Sequence, residues 1–138
     1  MLTEKDYCDY YTCIALRQIG CRTVTEWYIH QPSYERGNCY LCFGIPQETS
    51  VLDECDYIPR LSLYEAQKWL REEKKIEVVV LGENYIGGPY HPDVYNEAGP
   101  AWFDKGEGYN SYEDALLEGI KKAVKILKEE ENGNTIAF

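Results

Sequence analysis

The chain has 138 residues, 44% of them hydrophobic and 28% charged, and a formal net charge of −10 at neutral pH. That length accommodates one cored domain but not two, and the apolar content excludes wholesale disorder. With 14 Lys and Arg against 24 Asp and Glu, the charge disfavours direct binding to a nucleic-acid backbone and suits a basic partner surface.

The opening MLTEKDYCDYY places acid and tyrosine where an export signal needs a basic stretch and then an apolar one, so a cytoplasmic location is expected. Thr3, with Asp6 three residues on, has the pattern of a helix N-cap. Behind it Cys8, Tyr11, Thr12, Ala15, Leu16 and Ile19 share one helical face, and Gly20 supplies a stop, which predicts a helix over 5–19. The runs TVTEWYIH (23–30) and CYLCFGI (39–45) read as strands joined by a long loop, and 46–60 reads as irregular.

Ser62-Leu63-Tyr64-Glu65 is a capping box, predicting a helix to about residue 74 with Leu63, Ala66, Leu70 and part of Trp69 turned inward. IEVVVL (76–81) has the β-branched, unbroken apolar character of a central strand. A return strand over 85–90 is expected, then a Pro- and Gly-rich loop over 90–108 with a short strand near 101–103. Ser111 with Glu113 and Asp114 starts another helix, along which Tyr112, Ala115, Leu116, Gly119, Ile120, Ala123, Val124 and Leu127 form the inward stripe. A glycine there costs up to about 1 kcal/mol relative to alanine, so something is expected to pack closely against Gly119. These elements predict a single α+β domain over 1–130 followed by a tail over 131–138. Its core is a small antiparallel or mixed sheet of three to five strands with about three helices packed on one face.

Six cysteines (Cys8, Cys13, Cys21, Cys39, Cys42 and Cys55) read as reduced thiols acting as small hydrophobes. Cys39 and Cys42 have metal-ligand spacing, but a closed tetrahedral site needs a second pair at similar spacing and there is none. No metal or cofactor is therefore expected; were the chain a zinc-containing interaction module, Cys39 and Cys42 would be ligands. His91-Pro92-Asp93 reads as a turn stabilised by proline and aspartate. The two histidines, His30 and His91, lack a recognisable nucleophile beside them, and Gly82 to Gly88 lacks the Lys and Ser/Thr of a phosphate loop. The expectation is a protein that is not an enzyme.

Tyrosine is abundant, at 13 residues, and it favours interfaces because an apolar ring carries a polar tip. The loop aromatics Tyr34, Tyr85, Tyr90, Tyr95, Trp102 and Tyr109 have no place in a helical stripe and are the expected partner-binding residues. A second reading is a small-ligand binder that sequesters a nucleotide, with Arg22, Arg36 or Arg60 anchoring phosphate.

Three segments, TEKDYCDYYTCIALRQIGC, PRLSLYEAQKWLREEKKIEVVVL and YNSYEDALLEGIKKAVKIL, together resemble a family of small uncharacterised proteins of Bacteroides-type gut bacteria and their phages and prophages. The resemblance covers most of the chain and implies a mobile-element accessory protein in a bacterial cytoplasm. Combined with the charge, it leads to the expectation of a non-enzymatic protein that binds a host or phage protein through an acidic, Tyr/Trp-rich surface. An inhibitor or DNA-mimic-like modulator of a nucleic-acid-binding protein would fit that description. Direct nucleic-acid or membrane contact is not expected.

Overall fold

Ser62 and Glu65 close the capping box that their spacing predicts. The Ser62 hydroxyl accepts from the Glu65 amide at 3.0 Å, and the Ser62 amide donates back to Glu65 Oε1 at 2.9 Å. A computed structural model describes residues 2–23, 26–30, 39–42, 57–82, 89–104, 106 and 108–133, with only the backbone for 26–30, 39–42, 57–58 and 132–133. In chain order the elements are a 3-10 turn (Glu4–Asp6), α1 (Tyr10–Gln18), β1 (Glu26–His30), β2 (Cys39–Cys42), β3 (Tyr57–Arg60), α2 (Leu63–Glu73), β4 (Glu77–Gly82), β5 (Tyr90–Asn96), β6 (Gly99–Phe103) and α3 (Tyr112–Gly133). The protein is α+β, and every described strand pairing is antiparallel. The described strands form two three-stranded sheets, ordered β2-β1-β3 and β4-β5-β6. No helix among the described residues is long and apolar enough to cross a membrane.

The helices gather the core. Leu63, Ala66 and Leu70 of α2 are fully buried, as predicted, and so are Ala115, Leu116, Ile120 and Ala123 of α3. α3 packs on β4, β5 and α2, and it also touches α1, which in turn lies on β3. The ion pair Lys121–Asp9 (3.2 Å) and the hydrogen bond Lys128–Gln18 link α1 to α3 at both ends, so these two helices run in the same direction. Removing the α2 cap with Ser62→Ala should lower stability by about 1 kcal/mol in urea denaturation, because the Glu65 amide loses its acceptor.

The first helix starts later than predicted. Thr3 does pair with Asp6, its amide donating to Oδ2 at 2.8 Å, but the pair caps only the 3-10 turn. The Cys8 amide then bonds to the Leu61 carbonyl (2.9 Å) and Tyr7 bridges Ser62, so the chain is held extended there and cannot be helical. Asp9 becomes the N-cap instead, accepting from the Thr12 amide at 2.8 Å. The delayed start turns the stripe: Tyr10 and Cys13 are buried, whereas Tyr11 is 51% exposed.

Four further expectations change. Residues 57–60, read as irregular, form β3; its Pro59 lies in an edge strand among those described, where proline is tolerated. IEVVVL forms an edge strand among those described, β4, rather than a central one; Val78 and Val80 face the helices, and the Gln67 side chain covers the Val78 carbonyl at 2.8 Å. The loop expected over 90–108 is largely the hairpin β5–β6, turning at Glu97–Ala98 with Gly99 at φ +120°, and the short strand expected near 101–103 falls within β6. The helix expected to end before a tail at 131 continues to Gly133. The proposed strand over 85–89 lies outside the described residues except Pro89, and the strand there begins at Tyr90.

His91-Pro92-Asp93 is accordingly not a turn but the middle of β5, the central strand of its sheet. Pro92 faces Val80 on one side and the residue after β6 on the other. Its carbonyl accepts from the Asp104 amide at 3.2 Å. The donor that proline lacks thus falls where β6 has already ended, which removes most of the penalty of proline inside a sheet.

Candidate interaction surface

Alternation along β5 sets its two faces. Tyr90, Pro92 and Val94 face α3, whereas His91, Asp93 and Tyr95 face away. On the far face His91 Nδ1 lies 3.0 Å from Asp104 Oδ2, the other Asp104 oxygen accepts from the Gly106 amide (3.1 Å), and the Tyr95 hydroxyl donates to Asp93 at 3.4 Å. His91 and Asp104 side chains are only 7% and 10% exposed, so the pair secures the chain leaving β6 rather than opening into a cleft. Burial pushes the Asp93 carboxyl above its ordinary value of 3.8, with Asp104 adding to the rise and Tyr95 and His91 opposing it. The folded protein holds this proton more tightly than the unfolded chain, so the contribution of Asp93 to stability falls as pH rises from 3.8 through the raised value. Asp93→Asn should remove that fall, which urea titrations of both proteins across the acid range will register.

Of the aromatic residues expected to bind a partner, the four that are described do not form one patch. Tyr34 and Tyr85 lie outside the described residues. Tyr95 meets Phe103 edge-on at 6.2 Å on the sheet face away from α3, and Phe103 is 44% exposed. Trp102 is on the opposite face, with the Lys122 ammonium 5.5 Å above its ring. Of these four, only Tyr90 and Tyr109 come together, exchanging two backbone hydrogen bonds of 3.2 and 2.8 Å.

That pair belongs to a larger tyrosine surface. Tyr90 meets Tyr112 at the start of α3 edge-on at 6.1 Å. Tyr64 in the first turn of α2 donates to Asp6 at 3.2 Å, and the 3-10 turn carrying Asp6 also touches α3. Partial burial and this bond raise the Tyr64 phenol, and Glu113 and Tyr112 lie close enough to raise it further. Tyr109 is raised by burial, then by Glu118 and Asp104. The Thr3 amide holds the Asp6 carboxyl below its ordinary value, so Asp6 is charged at neutral pH. Tyr64 and Tyr112 remain 40% and 37% exposed. The two helix starts, β5 and the N-terminal turn thus bring four tyrosines and several carboxylates to one end of the molecule.

Sequence reasoning missed Tyr64 and placed Tyr112 in the buried stripe. The available signal was the position of each: second and first residue of a helix directly after its serine cap, where the first turn projects past the helix body. Cys39 and Cys42 bound β2, and their side chains are not among those described. Among the described residues no three His, Cys, Asp or Glu side chains converge as metal ligands. Cys8, Cys13 and Cys21 are buried. The contact with Cys13 and then burial push Cys8 well above its ordinary value, and burial raises Cys21, which leaves little thiolate for chemistry. Of the possible phosphate anchors, Arg60 is buried, Arg22 donates to the backbone carbonyl of Arg17 at 2.7 Å, and Arg36 is outside the described residues. No protein-family model matches the chain, and no curated protein or solved structure matches it either.

Proposed function

We propose that the protein is a non-enzymatic accessory protein of a bacterial cytoplasm, phage- or prophage-related, that binds a protein partner through its acidic tyrosine end. The observation that carries this reading is the convergence of half-exposed Tyr64 and Tyr112 with Tyr90, Tyr109 and charged Asp6 on one surface. Tyrosine gives large contact area at low entropic cost, and exposed aromatics clustered in this way favour recognition over solubility. The net charge of −10 steers the encounter towards a basic protein, such as one that binds nucleic acid, which the chain would modulate or inhibit.

The test is affinity capture from a host lysate, followed by titration of the purified partner with wild-type protein, Tyr64→Ala and Tyr112→Ala. A stoichiometric complex weakened at least about tenfold by the two substitutions together is expected, since interfacial tyrosines commonly carry 1–2 kcal/mol or more each. Capture of nothing stoichiometric, or a complex indifferent to both substitutions, would remove the reading.

A further inference from the structure

The molecule already contains a cation held by a tyrosine ring and a carboxylate. The Arg60 guanidinium lies 3.5 Å from the centroid of the Tyr7 ring, and its Nη2 donates to Glu4 Oε1 at 2.8 Å. A planar guanidinium suits this arrangement because it stacks on a ring while its edge donates to a carboxylate.

The tyrosine end presents the same two components facing solvent. Tyr64 and Tyr112 show their rings, Asp6 is anchored by Thr3 and Tyr64, and Glu113 follows Tyr112 directly. Among the described residues no lysine or arginine pairs with Asp6, Glu113 or Glu118, and none lies over the ring of Tyr64 or Tyr112. Lys121 pairs with Asp9, Lys122 lies over Trp102 and Lys74 over Trp69, while Lys5 beside Asp6 and Lys68 one turn beyond Tyr64 bond to none of these carboxylates or rings. Two helix N-termini also meet here, and their partial positive charge would repel a cation. Glu65, Glu113 and Asp114 in the first turns offset it, leaving the surface negative.

From this juxtaposition we infer that the tyrosine end takes arginine side chains of a basic segment of the partner, stacked on Tyr64 and Tyr112 and paired with Asp6 and Glu113. The inference rests on the interaction reading above and specifies the chemistry of the partner. Arginine is favoured over lysine, whose compact and strongly hydrated ammonium stacks less well.

The experiment is calorimetric titration of the full chain with a short synthetic peptide alternating arginine and glycine. Two counterparts, carrying citrulline or lysine in place of arginine, are titrated alongside. Saturable binding is expected for the arginine peptide, weaker binding for the lysine peptide, and none for the citrulline peptide, which keeps the shape but loses the charge. Tyr64→Ala, Tyr112→Ala and Glu113→Gln should each weaken the arginine peptide about fivefold, the order of one cation–π or charge-assisted contact. Tyr112→Phe should retain the affinity because the ring face remains, and Phe103→Ala, on the other sheet face, should not alter it. Should an alanine variant fail to give a wild-type circular dichroism melt, Glu113→Gln and Tyr112→Phe still decide the matter. Absence of binding, equal binding of the citrulline or lysine peptide, or Tyr64→Ala and Tyr112→Ala variants that bind like wild type would overturn the inference, the last of these pointing to diffuse attraction by the net charge. A partner lost by Tyr64→Ala and Tyr112→Ala while the peptide fails to bind leaves the interaction reading standing and removes only the arginine.

Discussion

Gly119→Ala is expected to destabilise the protein by about 1 kcal/mol, although alanine is about 1 kcal/mol the better residue inside a helix. A Cβ at this position of α3 would stand 2.5 Å from Val78 Cγ1 of β4 and 3.1 Å from Pro92 Cβ of β5. Neither neighbour can move away cheaply. Valine has only its restricted χ1 to turn, the proline ring is fixed to the backbone of a central strand, and both lie in the sheet that α3 covers. Overpacking of this kind costs about 1–3 kcal/mol, which exceeds the gain in propensity. Gly119→Val should lose more still, since it adds bulk at the same point and gives up helix propensity relative to alanine. A double-mutant cycle with Val78→Ala supplies the decisive measurement. Val78→Ala alone should cost stability by emptying a fully buried site, and Gly119→Ala combined with it should be less damaging than the sum. A Gly119→Ala protein more stable than wild type in urea would show that α3 does not lie this close to the sheet.

Arg60→Ala is expected to have the larger effect, about 2–4 kcal/mol, comparable with truncation of a large core side chain. Arg60 is 1% exposed and is among the largest fully buried side chains described. Its stem packs where an aliphatic residue would, and its head holds the N-terminal turn through Tyr7 and Glu4. Removing it empties the site and also releases the segment whose Cys8 amide and Tyr7 bridge fix the start of α1. Glu4→Gln should be mild by comparison, because the Glu4 side chain is 77% exposed and loses little solvation in either state. Arg60→Met, which retains volume and gives up charge, should fall between the two. Thermal melts of the three variants in that order check the assignment; a tolerant Arg60→Ala would mean that the N-terminal turn is held independently of the guanidinium. Loss of this strap would also displace Asp6 from Tyr64, so Arg60→Ala should weaken partner binding without touching the tyrosine surface directly.

What could be read without coordinates was chemistry local to a few residues. The Ser62–Glu65 box, the start of α3 at Ser111, the apolar stripes of α2 and α3, the α+β class and the close approach at Gly119 all follow from backbone hydrogen-bond demand and from a 3.6-residue period. Both act over one or two helical turns, and so they survive in the sequence itself. The rest depended on partners distant along the chain. Whether residues 7–9 join the first helix is decided by Leu61 and Ser62, which hold them extended. Pro92 can occupy a central strand because β6 ends before its missing donor is needed, and IEVVVL lies at an edge among the described strands, where the Gln67 side chain meets the Val78 carbonyl. The tyrosine surface arises because two helix starts, one strand and the N-terminal turn, scattered over more than a hundred residues, end at the same place. Hydrophobic burial is non-directional, and it sums over the whole core before any one contact is settled. A local pattern can therefore nominate a buried face, but only the packed chain decides which tyrosines remain outside it.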